Sequence, residues 1–101
     1  MGTIIDIDFA VARAQASKLE EVANTLEGMI NNDYDSTMQE IKAGWSGEAS
    51  DRYMNKGSIL ESDMRTTVDR IRNVVNSIRT TVSKAEAAQK RAQELLLNKN
   101  F

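Results

Sequence analysis

Residues 42–50 read KAGWSGEAS. The stretch holds the chain's one Trp and two of its five Gly, and no Pro occurs anywhere in the 101 residues. Helical periodicity runs into it from both sides. Before it, Leu19, Ala23, Leu26, Ile30, Tyr34, Met38 and Ile41 recur at intervals of four, three, four, four, four and three, which is one face of a helix. After it, Ala49, Tyr53, Leu60, Met64, Val68, Ile71, Val75, Ile78, Val82, Ala85, Ala92 and Leu96 form a second stripe. From Met64 to Ala85 that stripe alternates four and three without a miss, a heptad seam. The quoted stretch is therefore a turn. The spacing predicts a helix over about 9–43, a turn over about 44–47 and a helix over about 48–96, each helix roughly 50–75 Å long. A short turn between long helices predicts an all-α, antiparallel helix-turn-helix hairpin, a single domain filling residues 1–101.

Local chemistry supports the boundaries. Asp8 is a good N-cap just before Phe9, and Gly44 supplies a stop. Gly47 or Ser46 can cap the second helix, whose first turn carries Glu48 and Asp51 and whose far end carries Lys84, Lys90, Arg91 and Lys99, as the helix dipole favours. Gly57 is a mild weakness, about 1 kcal/mol against Ala. MINNDYDS, residues 29–36, is rich in poor helix formers (Asn31, Asn32, Asp33, Asp35). It reads either as a polar interruption of one continuous helix or as a break. The tail LLLNKNF is expected to fray, leaving Leu97 and Phe101 without a partner.

Composition narrows the chemistry. Hydrophobic residues are 41% and charged residues 28%, which suits a folded domain, while aromatics at 5% leave a core of Leu, Ile, Val, Met and Ala. There is no Cys and no His, so thiol chemistry, the commonest metal ligand and the commonest general base are missing. No phosphate loop is present, since GWSG lacks the Lys and the spacing. The expectation is a non-enzymatic protein with no cofactor and no metal. The series Arg65, Arg70, Arg72 and Arg79 raises nucleic acid, but a pI near 5.1 and the lack of interleaved aromatics argue for a solvated face, not a nucleic-acid interface. The N-terminus MGTIIDIDFAVARA lacks the basic region and continuous apolar run of a cleaved signal peptide, and no segment reaches transmembrane length. Gly2 is followed by Asp6 where a myristoylation site wants Ser or Thr.

Charge is divided between the halves. Residues 1–50 carry three cations against nine acids, and residues 51–101 carry ten against six. With Ala23 and Ile30 at heptad positions a and Leu19 and Leu26 at d, Glu20 and Glu27 fall at e, as do Arg65, Arg72 and Arg79. A hairpin pivoting near residue 46 predicts the pairs Glu27–Arg65 and Glu20–Arg72, and sets Arg13 opposite Arg79, an unfavourable contact. Exposed pairs of this kind select register more than they hold a fold.

Val22 and Met29 on the first helix, with Val74 and Ala88 on the second, widen both stripes at g positions. Two helices cannot cover stripes this wide, and the economical solution is a second hairpin, giving a four-helix bundle. The core and dimer stripe is expected to include Leu19, Leu26, Ile30, Met64, Val68, Ile71, Val75, Ile78 and Val82, with a homodimer or a heterodimer both open. Trp45 reads either as a filler between helix ends or, with Ser46 and Gly47, as a recognition surface at the bundle's end.

Trp45-Ser46-Gly47, centred in about a hundred Cys-free residues with a helix on each side, resembles the WXG family, the small ESAT-like substrates of type VII (ESX) secretion in Gram-positive bacteria and actinobacteria. The resemblance spans the chain in length, motif position and helix pattern. It implies a hairpin that dimerises into a four-helix bundle and is exported without a cleaved signal peptide, cytoplasmic before export and secreted after. It also implies that Trp45 and Gly47 contribute, with a C-terminal signal of the partner chain, to a composite export signal. Many members carry Tyr-x-x-x-Asp/Glu after the second helix. Here the tyrosines are Tyr34 and Tyr53, neither has an acid four residues on, and AQKRAQELLLNKNF has no Tyr. Either the signal is degenerate or a partner supplies it. Three readings follow: a secreted homodimer, a targeting partner or chaperone for a larger type VII effector that docks through Leu95, Leu97 and Phe101, and a structural coiled-coil module unrelated to secretion.

Overall fold

The computed structural model describes residues 8–99, so the readings made on residues 1–7, Gly2 and Asp6 among them, and on Phe101 lie outside the described residues. Asp8 starts the first helix, its backbone extended and its Oδ1 accepting a hydrogen bond from the Val11 N–H at 3.1 Å. From there α1 runs Phe9–Gly28, a π-helical segment follows over Met29–Tyr34, and α2 runs Asp35–Gly44 on the same axis. MINNDY is thus not a break: the helix is continuous through it and widens there to π geometry. After the turn, α3 runs Glu48–Lys99, 52 residues. The described residues form an all-helical, antiparallel hairpin 82 Å long and 18 by 16 Å across.

The core is a single line of contact. Ala16, Ala23 and Ile30 on the first helix and Val68, Val75 and Val82 on α3 are buried, each set recurring every seven residues. Ile30, Ala23 and Val68 form one cluster, with Leu26, Met64 and Ile71 packed against it. Small Ala opposite Val lets the two backbones approach closely, which suits a hairpin with few aromatics.

One flank of this line is closed by charge. Arg13 meets Glu86 at 2.7 Å, Glu20 meets Arg79 at 3.1 Å, Glu27 meets Arg72 at 2.9 Å, and Asp35 meets Arg65 at 3.6 Å. The expected pairs Glu27–Arg65 and Glu20–Arg72 do not form, because α3 is displaced by one heptad. Three physical reasons favour the observed register. The expected one brought Arg13 to Arg79, whereas here Arg13 finds Glu86. Sliding back one heptad would set Ile30 against Glu61 in place of Val68. The turn is also not a symmetric pivot: Trp45 is extended, with φ −110 and ψ 150, so the chain continues past the end of α2 before α3 begins. Ser17, Asn24 and Asn31 add hydrogen bonds to Arg79, Arg72 and Arg65.

These ion pairs carry a pH dependence. Hydrogen bonds from Arg79, Arg72 and Arg13 hold the carboxyls of Glu20, Glu27 and Glu86 below the ordinary value of 4.5. A carboxylate with a pKa lower in the folded state stabilises the fold above its unfolded pKa, and that contribution is lost as pH falls through the folded pKa. Thermal unfolding followed by circular dichroism should therefore show a Tm that falls on acidification below about pH 4.5, with a smaller fall at high salt. A Tm that holds or rises on acidification from about pH 5 to 3 would contradict the contribution of these ion pairs.

Near the turn, the face that α3 turns to the first helix differs from the stripe expected there. Ala49, Tyr53 and Leu60 are exposed, and Ser50, Met54, Gly57 and Glu61 take the inward positions. The four-three rhythm read backward from Met64 gives these residues, so helical phase prevails over apolarity. Gly57 is a contact site and not a mere weakness. The Tyr34 hydroxyl donates to the Gly57 carbonyl at 2.6 Å, and a Cβ at Gly57 would meet the Met38 side chain and stand 3.0 Å from Tyr34 Oη. Tyr34→Phe removes this one donor. It should cost about 1 kcal/mol in chemical denaturation, since the carbonyl keeps its helical partner. An unchanged midpoint would show that the hydroxyl does not tie the two helices.

Two end readings also change. Gly44 remains helical, and the stop comes from Trp45, whose N–H bonds back to Ile41 O at 2.9 Å. The positive φ, +84°, belongs to Gly47, which directly precedes α3 and accepts from the Asp51 N–H. α3 runs on to Lys99, three residues past the end expected near Leu96, through Leu95, Leu96 and Leu97, good helix formers with no breaker among them.

Candidate functional site

Two surfaces stand out, the hairpin's tip and its open flank. At the tip, Trp45, Ser46 and Gly47 are all exposed. The Trp45 ring meets Tyr53 edge to face, with centroids 4.9 Å apart and planes at 79°. Trp45 remains 46% exposed and Tyr53 55%, so part of each ring faces solvent. Lys42 in the last turn of α2, and Glu48 and Asp51 in the first turn of α3, place charge around the pair, with Arg52 bridging Glu48 at 3.0 Å. Tyr53 was legible in the sequence as part of the α3 stripe but not as the support of Trp45. The signal available was that Tyr53 lies in the second turn of the helix that follows Gly47.

The open flank follows from helical geometry. Around each helix the order is g, d, a, e, with the buried residues at a and the ion pairs at e. The d positions Leu19, Leu26, Met64, Ile71 and Ile78 are therefore half-buried, and the neighbouring g positions Val22, Met29, Leu60 and Val74 are exposed. The residues expected as one core and dimer stripe thus divide. Ile30, Val68, Val75 and Val82 lie inside the hairpin, whereas Leu19, Leu26, Met64, Ile71 and Ile78 border its uncovered side. Between the π segment and α3 this side holds an apolar groove of about 300 Å³, lined by Leu26, Met29, Ile30, Asp33, Tyr34, Thr37 and Met64. Leu95, Leu96 and Leu97 are also exposed.

Among the described residues no cluster of acids is arranged to hold a metal, and no helix is long and apolar enough to cross a membrane. Both surfaces present exposed aromatic or aliphatic area.

Searches of curated proteins and of solved structures returned no match. A family model does match, that of "Proteins of 100 residues with WXG" (WXG100), over residues 4–89, which takes in the first helix, the turn and most of α3. With Trp45 and Gly47 exposed at the turn of a two-helix hairpin, the chain belongs to the WXG100 family.

Proposed function

We propose that this protein is a non-enzymatic type VII secretion substrate that dimerises through its open flank and is exported without a cleaved signal peptide, the Trp45–Gly47 tip serving as one part of the export signal. Family membership supports the secretion class. The observation that carries the reading is the half-exposed Trp45 propped on Tyr53 at the hairpin's tip, aromatic area left uncovered beside the motif. Dimerisation is supported by the apolar flank, which a lone hairpin leaves in water. The targeting-partner reading rests on a different feature: neither Tyr34 nor Tyr53 has an acid four residues on, so a larger partner would supply a Tyr-x-x-x-acid pattern.

Sedimentation of the purified chain tests the assembly. A mass near twice the 11.3 kDa of one chain at micromolar concentration is expected. A folded 11.3 kDa species would contradict the dimer. A stoichiometric complex with one larger protein, recovered from the native host at the expense of the dimer, would favour the targeting role.

A further inference from the structure

The tip is carried by α2, and α2 has two ways to face α3. Counted on from Ile30 in plain α geometry, the heptad rhythm turns Thr37 and Gly44 inward, flanked by Asp33 and Glu40. The π segment takes up one extra residue and so sets everything after it back by about 100°. Tyr34, Met38 and Ile41 are accordingly half-buried, while Asp33, Thr37, Glu40 and Gly44 are exposed. Trp45, four residues beyond Ile41, falls on the inward face and lands on Tyr53.

We infer that the π segment is a latch with two settings. The π setting stows Trp45 on Tyr53; the α setting turns α2 by about 100° and frees the indole. The inference rests on the reading of Trp45 as part of the export signal and adds the regulation of that site. A receptor that grips the whole indole selects the α setting, because only there is the ring clear of α3.

Few ties hold the π setting. The Tyr34 hydroxyl donates to the Gly57 carbonyl at 2.6 Å, Met38 packs where a Cβ on Gly57 would stand, and Asp35 meets Arg65 at 3.6 Å. Each tie breaks with little left unpaired. The Gly57 carbonyl keeps its place in α3, and Arg65 keeps Glu61 at 3.0 Å and Asn31 at 2.8 Å. Among the described residues no backbone hydrogen bond crosses the turn, since the Trp45 N–H returns to Ile41 and the Asp51 N–H to Gly47. Thr37 and Gly44 are small enough for the inward positions that the α setting gives them. The settings thus trade burial of Tyr34, Met38 and Ile41, which favours π, against regular α-helical hydrogen bonding, which favours α.

Trp45 is the chain's one Trp, so its fluorescence reports the tip alone. Deleting Asn32, an exposed residue of the π segment, removes the extra residue; plain α geometry then reproduces the stowed phase and the second setting is lost. Gly57→Ala pushes Met38 and Tyr34 off α3 and favours the freed setting, and Tyr34→Phe does so more weakly. With helicity checked by circular dichroism, acrylamide quenching of Trp45 should rise about twofold in Gly57→Ala, the ring being 46% exposed already, and less in Tyr34→Phe. NMR relaxation dispersion should show exchange at Trp45 in the parent and none in the Asn32 deletion. Export should fall by about tenfold or more in the Asn32 deletion and hold in Gly57→Ala. A parent free of exchange, exchange that persists in the deletion, or unchanged quenching in Gly57→Ala would overturn the latch. Quenching and exchange that respond as expected while export ignores every change would uphold the latch and remove the export reading instead.

Discussion

Ile30→Ala is expected to destabilise the hairpin by about 2–5 kcal/mol, a large share of what a domain this size possesses. Ile30 is 1% exposed and is one of the two largest fully buried side chains among the described residues. It sits where α1 widens into the π segment, clustered with Ala23 and Val68. Its loss leaves a cavity that cannot readily collapse, because the Glu27–Arg72 and Asp35–Arg65 pairs fix the register on both sides. For about a hundred residues this corresponds to a Tm lowered by roughly 10 °C or more at fixed protein concentration. The control is Ile59→Ala, on a residue 58% exposed and away from both the core and the flank, which should stay within about 0.5 kcal/mol. Equal losses at the two positions would mean that Ile30 is not the core residue the packing makes it.

Trp45→Ala should separate function from fold. The Trp45–Tyr53 contact is worth about 0.5–1.5 kcal/mol beyond its burial, so the variant should keep its helicity and melt only a few degrees lower. Its helix boundaries do not depend on the indole, because the stop is a backbone bond to Ile41 and the restart is the positive φ of Gly47. Export from the native host should nevertheless fall by about tenfold or more, the scale of losing one hot-spot aromatic. A variant that melts far earlier, or one exported as well as the parent, would return Trp45 to the role of a packing residue.

Much of this architecture can be read from residue spacing, and its failures have physical causes. The four-three rhythm from Met64 to Ala85 marks the helical face that the hairpin uses, and the lone Trp between glycines marks the turn. Matching charges about a symmetric pivot gives a register one heptad off, because the buried layers, Ile30 with Val68 above all, decide it. The π segment was visible as three successive intervals of four, from Leu26 to Tyr34 and Met38. Those intervals carry one residue more than the heptad rhythm, and widening the helix over Met29–Tyr34 absorbs it. The Tyr34–Gly57 tie depends on that local widening and on the absence of a Cβ, neither of which a pattern of apolar residues records. The tip was legible as a motif, but the edge-to-face support from Tyr53 required the three-dimensional path of the turn.

Secretion is measured most directly as the amount of this protein in the culture supernatant of the native host, with and without a working type VII secretion system, normalised to a cytoplasmic marker. Full-length protein is expected in the supernatant of the parent strain, with accumulation inside the cells of the strain lacking the system. Equal amounts in both supernatants would contradict it.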